Sequence, residues 1–289
     1  MIDPKHLLAA AIATTAALPA AHASPSGQLI TIGAALLESD APLADALQSA
    51  YTAGGSADPA SLADSAYTDV GALVGDTADW ADAQERVEGA IGLAEIYAYD
   101  DSTEDDIRMS RLAANWTALT AHLAVEDTAE AGLQGVGTYA LMAALEVAFW
   151  REVIEIDDVL GESSAYHESS LEAALDAHLA HLGDVEDAWA LAADGLYPLY
   201  TDRIRVRKSG LTTVKEYRKC FEGPDGEVCT DATYSCVSFL STNACTGKSA
   251  VNAEANALRD AQLDEDEDDI FGPDYEDLVE TLESVAASL

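Results

Sequence analysis

Residues 131–150 read AGLQGVGTYALMAALEVAFW, twenty positions in which Glu146 is the only charged side chain. By length alone such a run could cross a bilayer of about 30 Å as one helix. Its apolar content, however, is largely alanine and glycine, with Gly132, Gly135 and Gly137 crowded at its start. A helix that is apolar all round is also what the middle of a bundle needs. The reading adopted is a central helix buried by its neighbours; a membrane-anchored chain using residues 131–150 is the alternative.

Working outward, the flanking segments supply those neighbours. Residues 103–124 open with Thr103 and an acidic first turn, then place Leu112, Trp116, Leu119 and Leu123 on one face, which predicts an amphipathic helix with its stripe in the core. On the other side, Ser169 and Glu172 form a capping box, and Leu171, Leu175, His178, Leu182, Val185 and Trp189 recur at helical spacing as far as Gly195. Val87, Ile91, Ala94 and Ala98 outline another face, and Asp58-Pro59 begins one more helix. Residues 27–200 therefore read as a helical domain, with breaks at Gly54-Gly55-Ser56, Asp58-Pro59 and residues 161–164.

The first 26 residues read two ways. Residues 7–23 carry no charged group and end in Ala21-His22-Ala23, as a cleaved secretory signal does, whereas Asp3-Pro4 is an ordinary helix start.

After residue 200 the period changes from helix to strand. Arg203-Ile204-Arg205-Val206-Arg207 alternates, Thr212-Thr213-Val214 continues it, and Pro224-Asp225-Gly226 is turn chemistry between strand-like flanks. Residues 201–249 form a small β-rich module in this reading. Residues 250–289 read as a helix, an acidic solvated linker at 264–269 and a closing helix. The predicted fold is mainly α: an Ala-rich, bundle-like helical domain, a β-rich cysteine module and a C-terminal helix.

All four cysteines, Cys220, Cys229, Cys236 and Cys245, fall in the β module. Cys220 and Cys229 flank the hairpin, so a cross-strand disulfide there is geometrically sensible and leaves Cys236–Cys245 as the second bridge, one of three formal pairings. Structural zinc favours short C-x₂₋₄-C knuckles, which these spacings do not provide. Free thiols are the expectation for a cytoplasmic chain and disulfides for an oxidising compartment.

Charge is equally uneven. The chain holds 53 acidic against 14 basic residues, for a formal net charge of −39. Such a surplus repels itself in dilute buffer but is screened at about 1 M salt, where the Debye length is roughly 3 Å. With 49% hydrophobic residues the chain still has a core to bury. The scarcity of lysine and the Ala- and Val-dominated apolar content resemble proteins of halophilic archaea or their viruses. That resemblance implies a requirement for high salt and names no family.

Arg203, Arg205, Arg207, Lys208, Lys215, Arg218 and Lys219 make up half of the positive charge. On a strand, Arg203, Arg205 and Arg207 are expected on one face. This basic patch suits a protein partner or self-assembly through charge complementarity, or else it neutralises the chain's own acidic helices. Nucleic acid is disfavoured because the surrounding field repels phosphate.

Among the helices, His167, His178 and His181 lie near Glu168 and Glu172. A metal set of Glu146, Glu172, His178 and His181 in a bundle interior is the candidate they offer, without the paired Glu-x-x-His motifs of di-iron bundles. Gly135-Val136-Gly137-Thr138-Tyr139-Ala140 lacks the preceding strand of a dinucleotide site, and Gly247-Lys248-Ser249 lacks the first glycine of a phosphate loop. Asn115-Trp116-Thr117 is a glycosylation sequon inside a predicted helix. No catalytic constellation or cofactor motif emerges. The expectation is a non-catalytic structural or docking protein of a halophile's envelope or of a virus particle, with an exported enzyme or metal-binding bundle as the rival.

Overall fold

The run at residues 131–150 becomes a 3-10 turn, Gly132–Gly135, followed by a long helix, Val136–Leu160. The computed structural model describes residues 24–39, 41, 43–53, 58–74, 80–99 and 107–289. Within it every residue from 134 to 150 is buried, and no helix is long and apolar enough to cross a membrane. The two readings of the first 26 residues fall almost wholly outside the described residues, as do Gly54-Gly55-Ser56 and residues 103–106.

Nine α-helices and five strands are described: α1 (Pro25–Leu37), α2 (Leu43–Ala53), α3 (Pro59–Val74), α4 (Ala81–Tyr99), α5 (Ile107–Glu130), α6 (Val136–Leu160), α7 (Ala165–Ala193), β1 (Tyr200–Ser209), β2 (Thr212–Gly223), β3 (Gly226–Cys229), β4 (Tyr234–Phe239), β5 (Thr242–Thr246), α8 (Lys248–Phe271) and α9 (Tyr275–Ser288). The fold is mainly α, as expected. α6 is its axis, with α5, α1 and α7 packed around it. Glycine permits α1 to cross α6 closely, because a Cβ on Gly137 would stand 2.5 Å from Ser26 Oγ and 2.7 Å from Ser26 Cα. α9 closes the bundle: Leu278 and Leu282 are fully buried, and the Tyr275 hydroxyl donates to the Leu182 carbonyl at 3.1 Å.

Three expectations are corrected. First, the large stripe of α5 faces outward. Leu112, Trp116, Leu119 and Leu123 are 61%, 62%, 46% and 39% exposed, while Ala114, Thr117, Ala118, Ala121, Ala124, Val125 and Thr128 are buried. Small residues win the inner face because they let the α5 backbone approach the Ala- and Gly-rich α6, where larger side chains would hold it off.

Second, the acidic run at 264–269 is no linker but the last part of α8, with Asp266, Ile270 and Phe271 buried. Apolar anchors at its end hold the charged segment helical. Third, α7 starts earlier than the Ser169 capping box. Gly161, left-handed at φ 67°, ends α6, and α7 follows from Ser164, whose hydroxyl donates to Glu168.

The sheet has the order β1-β2-β4-β5, with β3 pairing the far end of β2 through the Pro224-Asp225 turn. α8 packs on β2 and β4 and buries Val251 and Ala255, and the Tyr197 ring meets Phe221 at 5.6 Å. Both cysteine pairs are bridged across strands, Cys220–Cys229 and Cys236–Cys245, with Cα separations of 4.1 and 4.0 Å.

Candidate functional site

Burying a carboxylate costs several kcal/mol unless partners compensate, so the lone charge of the apolar run must be paired. Glu146 is 1% exposed on α6 and has three partners. His122 Nδ1 of α5 lies 3.0 Å from its Oε1, and the Trp150 indole N–H, one turn along α6, donates to the same oxygen at 3.2 Å. His178 Nε2 of α7 stands 3.2 Å from Oε2, but the two atoms are not aligned for a hydrogen bond.

Glu146 is an acceptor only when ionised, so His122 must carry its proton on Nδ1. The other His122 nitrogen points at Glu126 Oε1, 3.2 Å away, which suits an imidazolium. The hydrogen bond to Glu146 pulls His122 above its ordinary value of 6.5, against the opposing effect of burial. Burial would push the Glu146 carboxyl up, yet the hydrogen bond from His122 and the nearness of His178 bring it down to about 2. His178 reaches Tyr139 through its other nitrogen, Nδ1 to hydroxyl 3.1 Å, and His181 tilts against the Tyr139 ring at 4.1 Å. Burial lowers the His181 imidazole.

A second couple lies about three turns farther along α6. Asp157, fully buried, meets His167 Nδ1 at 2.7 Å and Arg111 Nε at 2.8 Å, and His167 stacks on Trp150 at 5.7 Å. Tyr139, Glu146, Trp150 and Asp157 are spaced seven, four and seven apart, a single face of α6. Every described histidine, 122, 167, 178 and 181, contacts that face.

Of the proposed metal set, Glu146 and His178 meet, His181 stands beside Tyr139, and Glu172 is on the exposed side of α7. The set does not converge. Among the described residues the only place where three ligand-type side chains come together is Cys220, Cys229 and Glu227, and the two sulfurs there are already bonded to each other. Sequence reasoning missed His122, Asp157, Arg111 and Tyr139. The usable signal was the seven-four-seven spacing of polar and aromatic groups along the apolar run. This face gathers the paired buried polar groups of α6. A cleft of about 700 Å³ lies elsewhere, between α7 and α8, with Trp189, Asp194, Arg259, Asp264 and Tyr275 on its walls.

The sheet carries the basic residues differently from the expectation. A bulge between Arg203 and Arg205 sets Arg203 opposite Tyr217 but Arg205 opposite Glu216 and Arg207 opposite Val214. Consecutive residues of β2 point to opposite faces, so Arg203 departs from the face of Arg205 and Arg207. Arg207 pairs with Glu216 at 3.4 Å, and Arg218 with Asp202 at 3.1 Å and Glu227 at 3.5 Å. These partners are all in the sheet. Among the described residues no ion pair ties Arg203, Arg205, Lys208, Lys215 or Lys219 to any carboxylate, so direct pairing of the patch with the acidic helices is not what the fold contains.

β1 is an edge strand whose residues 203–209 are exposed, and Ile204, Val206, Leu211, Phe239 and Leu240 are exposed on the same sheet. No protein-family profile, curated protein or solved structure matches the chain, so the functional reading rests on its own geometry.

Proposed function

We propose that this chain is a non-catalytic docking or structural protein of an extreme halophile's cell envelope, or of a virus particle infecting one. The observation that carries the reading is the open edge of β1, where a row of unpaired backbone groups is flanked by arginines that find no carboxylate on the helices. An exposed edge of this kind accepts an added strand, and its basic flanks select an acidic one. The partner's chemistry is therefore an extended, acidic polypeptide segment. Two disulfides holding the sheet suit an oxidising location outside the cytoplasm, and a net charge of −39 suits brine.

The test uses a synthetic peptide of alternating glutamate and valine as the probe, with the full chain at about 1 M KCl. Binding to the wild type, weakened at least tenfold by Arg205→Glu with Arg207→Glu while the helical circular dichroism is unchanged, is the expected result. Equal binding by both proteins removes β1 as the docking edge.

A further inference from the structure

The outer face of α5 is built as a seam. Met109, Leu112, Trp116, Leu119 and Leu123 follow one another at intervals of three, four, three and four residues, the a/d repeat of a two-stranded coiled coil. Each is substantially exposed, from 39% at Leu123 to 62% at Trp116. The stripe is straight over about 21 Å of helix. It contains no charged residue, on a molecule where nearly one residue in four is charged. Such stripes on a soluble chain mark a contact surface.

We propose that α5 pairs with α5 of a second copy, antiparallel, and that the chain is a two-fold dimer through this seam. Three observations select this occupant. The repeat belongs to helix-on-helix packing, in contrast to the concave groove that would take a small ligand. Acidic residues precede the stripe at 104–106 and follow it at Glu126 and Glu130, and antiparallel order brings the exposed Arg108 beside Glu126 of the second copy. Arg108 is exposed at its N-terminal end, Glu126 and Glu130 are exposed at its C-terminal end, and Arg108 makes no ion pair with another described residue. A parallel pair would set Arg108 against Arg108. Finally, two such stripes facing each other remove on the order of 1,200 Å² from water, where specific interfaces begin.

Centred between Trp116 and Leu119, the antiparallel pair layers Trp116 on Leu119 of the second copy and Leu112 on its Leu123. Brine is what permits this contact. Two copies of charge −39 repel strongly in dilute buffer, and at about 1 M salt that repulsion is confined to roughly 3 Å. The seam lies on a different element from β1, so it stands apart from the docking reading and neither depends on the other.

The experiment is sedimentation equilibrium of the full chain at about 1 M KCl across a dilution series. A monomer–dimer equilibrium is expected. Leu112→Lys with Leu119→Lys is expected to weaken it at least tenfold with circular dichroism unchanged, since both side chains are exposed in the monomer. Leu191→Lys, 79% exposed on α7, removes a comparable apolar group away from the seam and is expected to leave the dimer intact. Mixing Trp116→Cys with Leu119→Cys is expected to give a cross-linked heterodimer in preference to either homodimer.

A chain that stays monomeric throughout overturns the proposal. So does a monomer whose Trp116 is shielded until residues 1–23 are removed, which would assign the stripe to the chain's own start. A dimer abolished by Arg205→Glu with Arg207→Glu but not by the α5 substitutions also overturns it, and moves self-association to the sheet. Preferential cross-linking of Trp116→Cys with itself overturns the antiparallel order.

Discussion

His122 Nδ1 of α5 and Glu146 Oε1 of α6 face each other at 3.0 Å, so the one charge of the apolar run 131–150 is held by a side chain that still touches solvent. The ionisation of the core is thereby coupled to the pH outside it.

Because the folded Glu146 carboxyl sits at about 2, below its ordinary 4.5, the unfolded chain binds the extra proton first as pH falls. Its contribution to stability is full above about 4.5 and is lost between there and about 2. His122 is raised, so its contribution is full below 6.5 and disappears as pH rises through its folded value. Denaturant unfolding at fixed salt, followed across pH, is expected to show both limbs. Glu146→Gln should flatten both, and an acid limb that survives this substitution would place the titrating group elsewhere.

Glu146→Leu removes the charge but leaves the Trp150 indole N–H and the His122 Nδ1 proton without their acceptor. A loss of about 3 kcal/mol is expected. The exposed Glu126→Leu should cost less than about 1 kcal/mol. Equal losses in chemical unfolding would mean that burial of Glu146 is not what matters.

Gly137→Ala places a methyl group 2.7 Å from the Ser26 Cα, and backbone cannot step aside as a flexible side chain can. The expected cost is about 2 kcal/mol or more. Gly89, in α4, has nothing within 4 Å of its would-be Cβ, so Gly89→Ala should stabilise by about 0.5–1 kcal/mol. Thermal midpoints at one salt concentration separate the two, and a shift of the same sign at both sites would contradict the α1–α6 crossing.

Each disulfide closes a short stretch between residues nine apart, across directly paired strands. Cys236→Ser with Cys245→Ser is expected to cost the sheet about 2–3 kcal/mol. Amide exchange should rise in β4 and β5 while α5, α6 and α7 keep their protection. Loss of protection in α6 would show that sheet and bundle unfold as one unit.

Much of this was legible beforehand where one physical cause acts alone. The cysteine spacing and the Pro224-Asp225 turn act locally, and the cross-strand pairs follow from them. Leu171, Leu175, His178, Leu182, Val185 and Trp189 of α7 are all buried, as their period requires. The face of Arg203 was not legible, because a single inserted residue at a bulge reverses every side chain before it. Nor was the partnership of Glu146 with His122, which lie 24 residues apart and meet only once α5 and α6 cross.

α5 separates the two kinds of information most sharply. By itself the sequence determined that this segment is a helix with two stripes of the same period, one of small residues and one of large. It also determined that the run after it must be buried. Residues two apart lie about 200° apart around a helix, so Trp116 and Ala118 belong to opposite faces whichever way it turns. Only the tertiary structure decided which face went in. The Ala- and Gly-rich surface of α6 rewards close backbone approach, so the alanines were drawn to the core and the leucines and Trp116 were left outside.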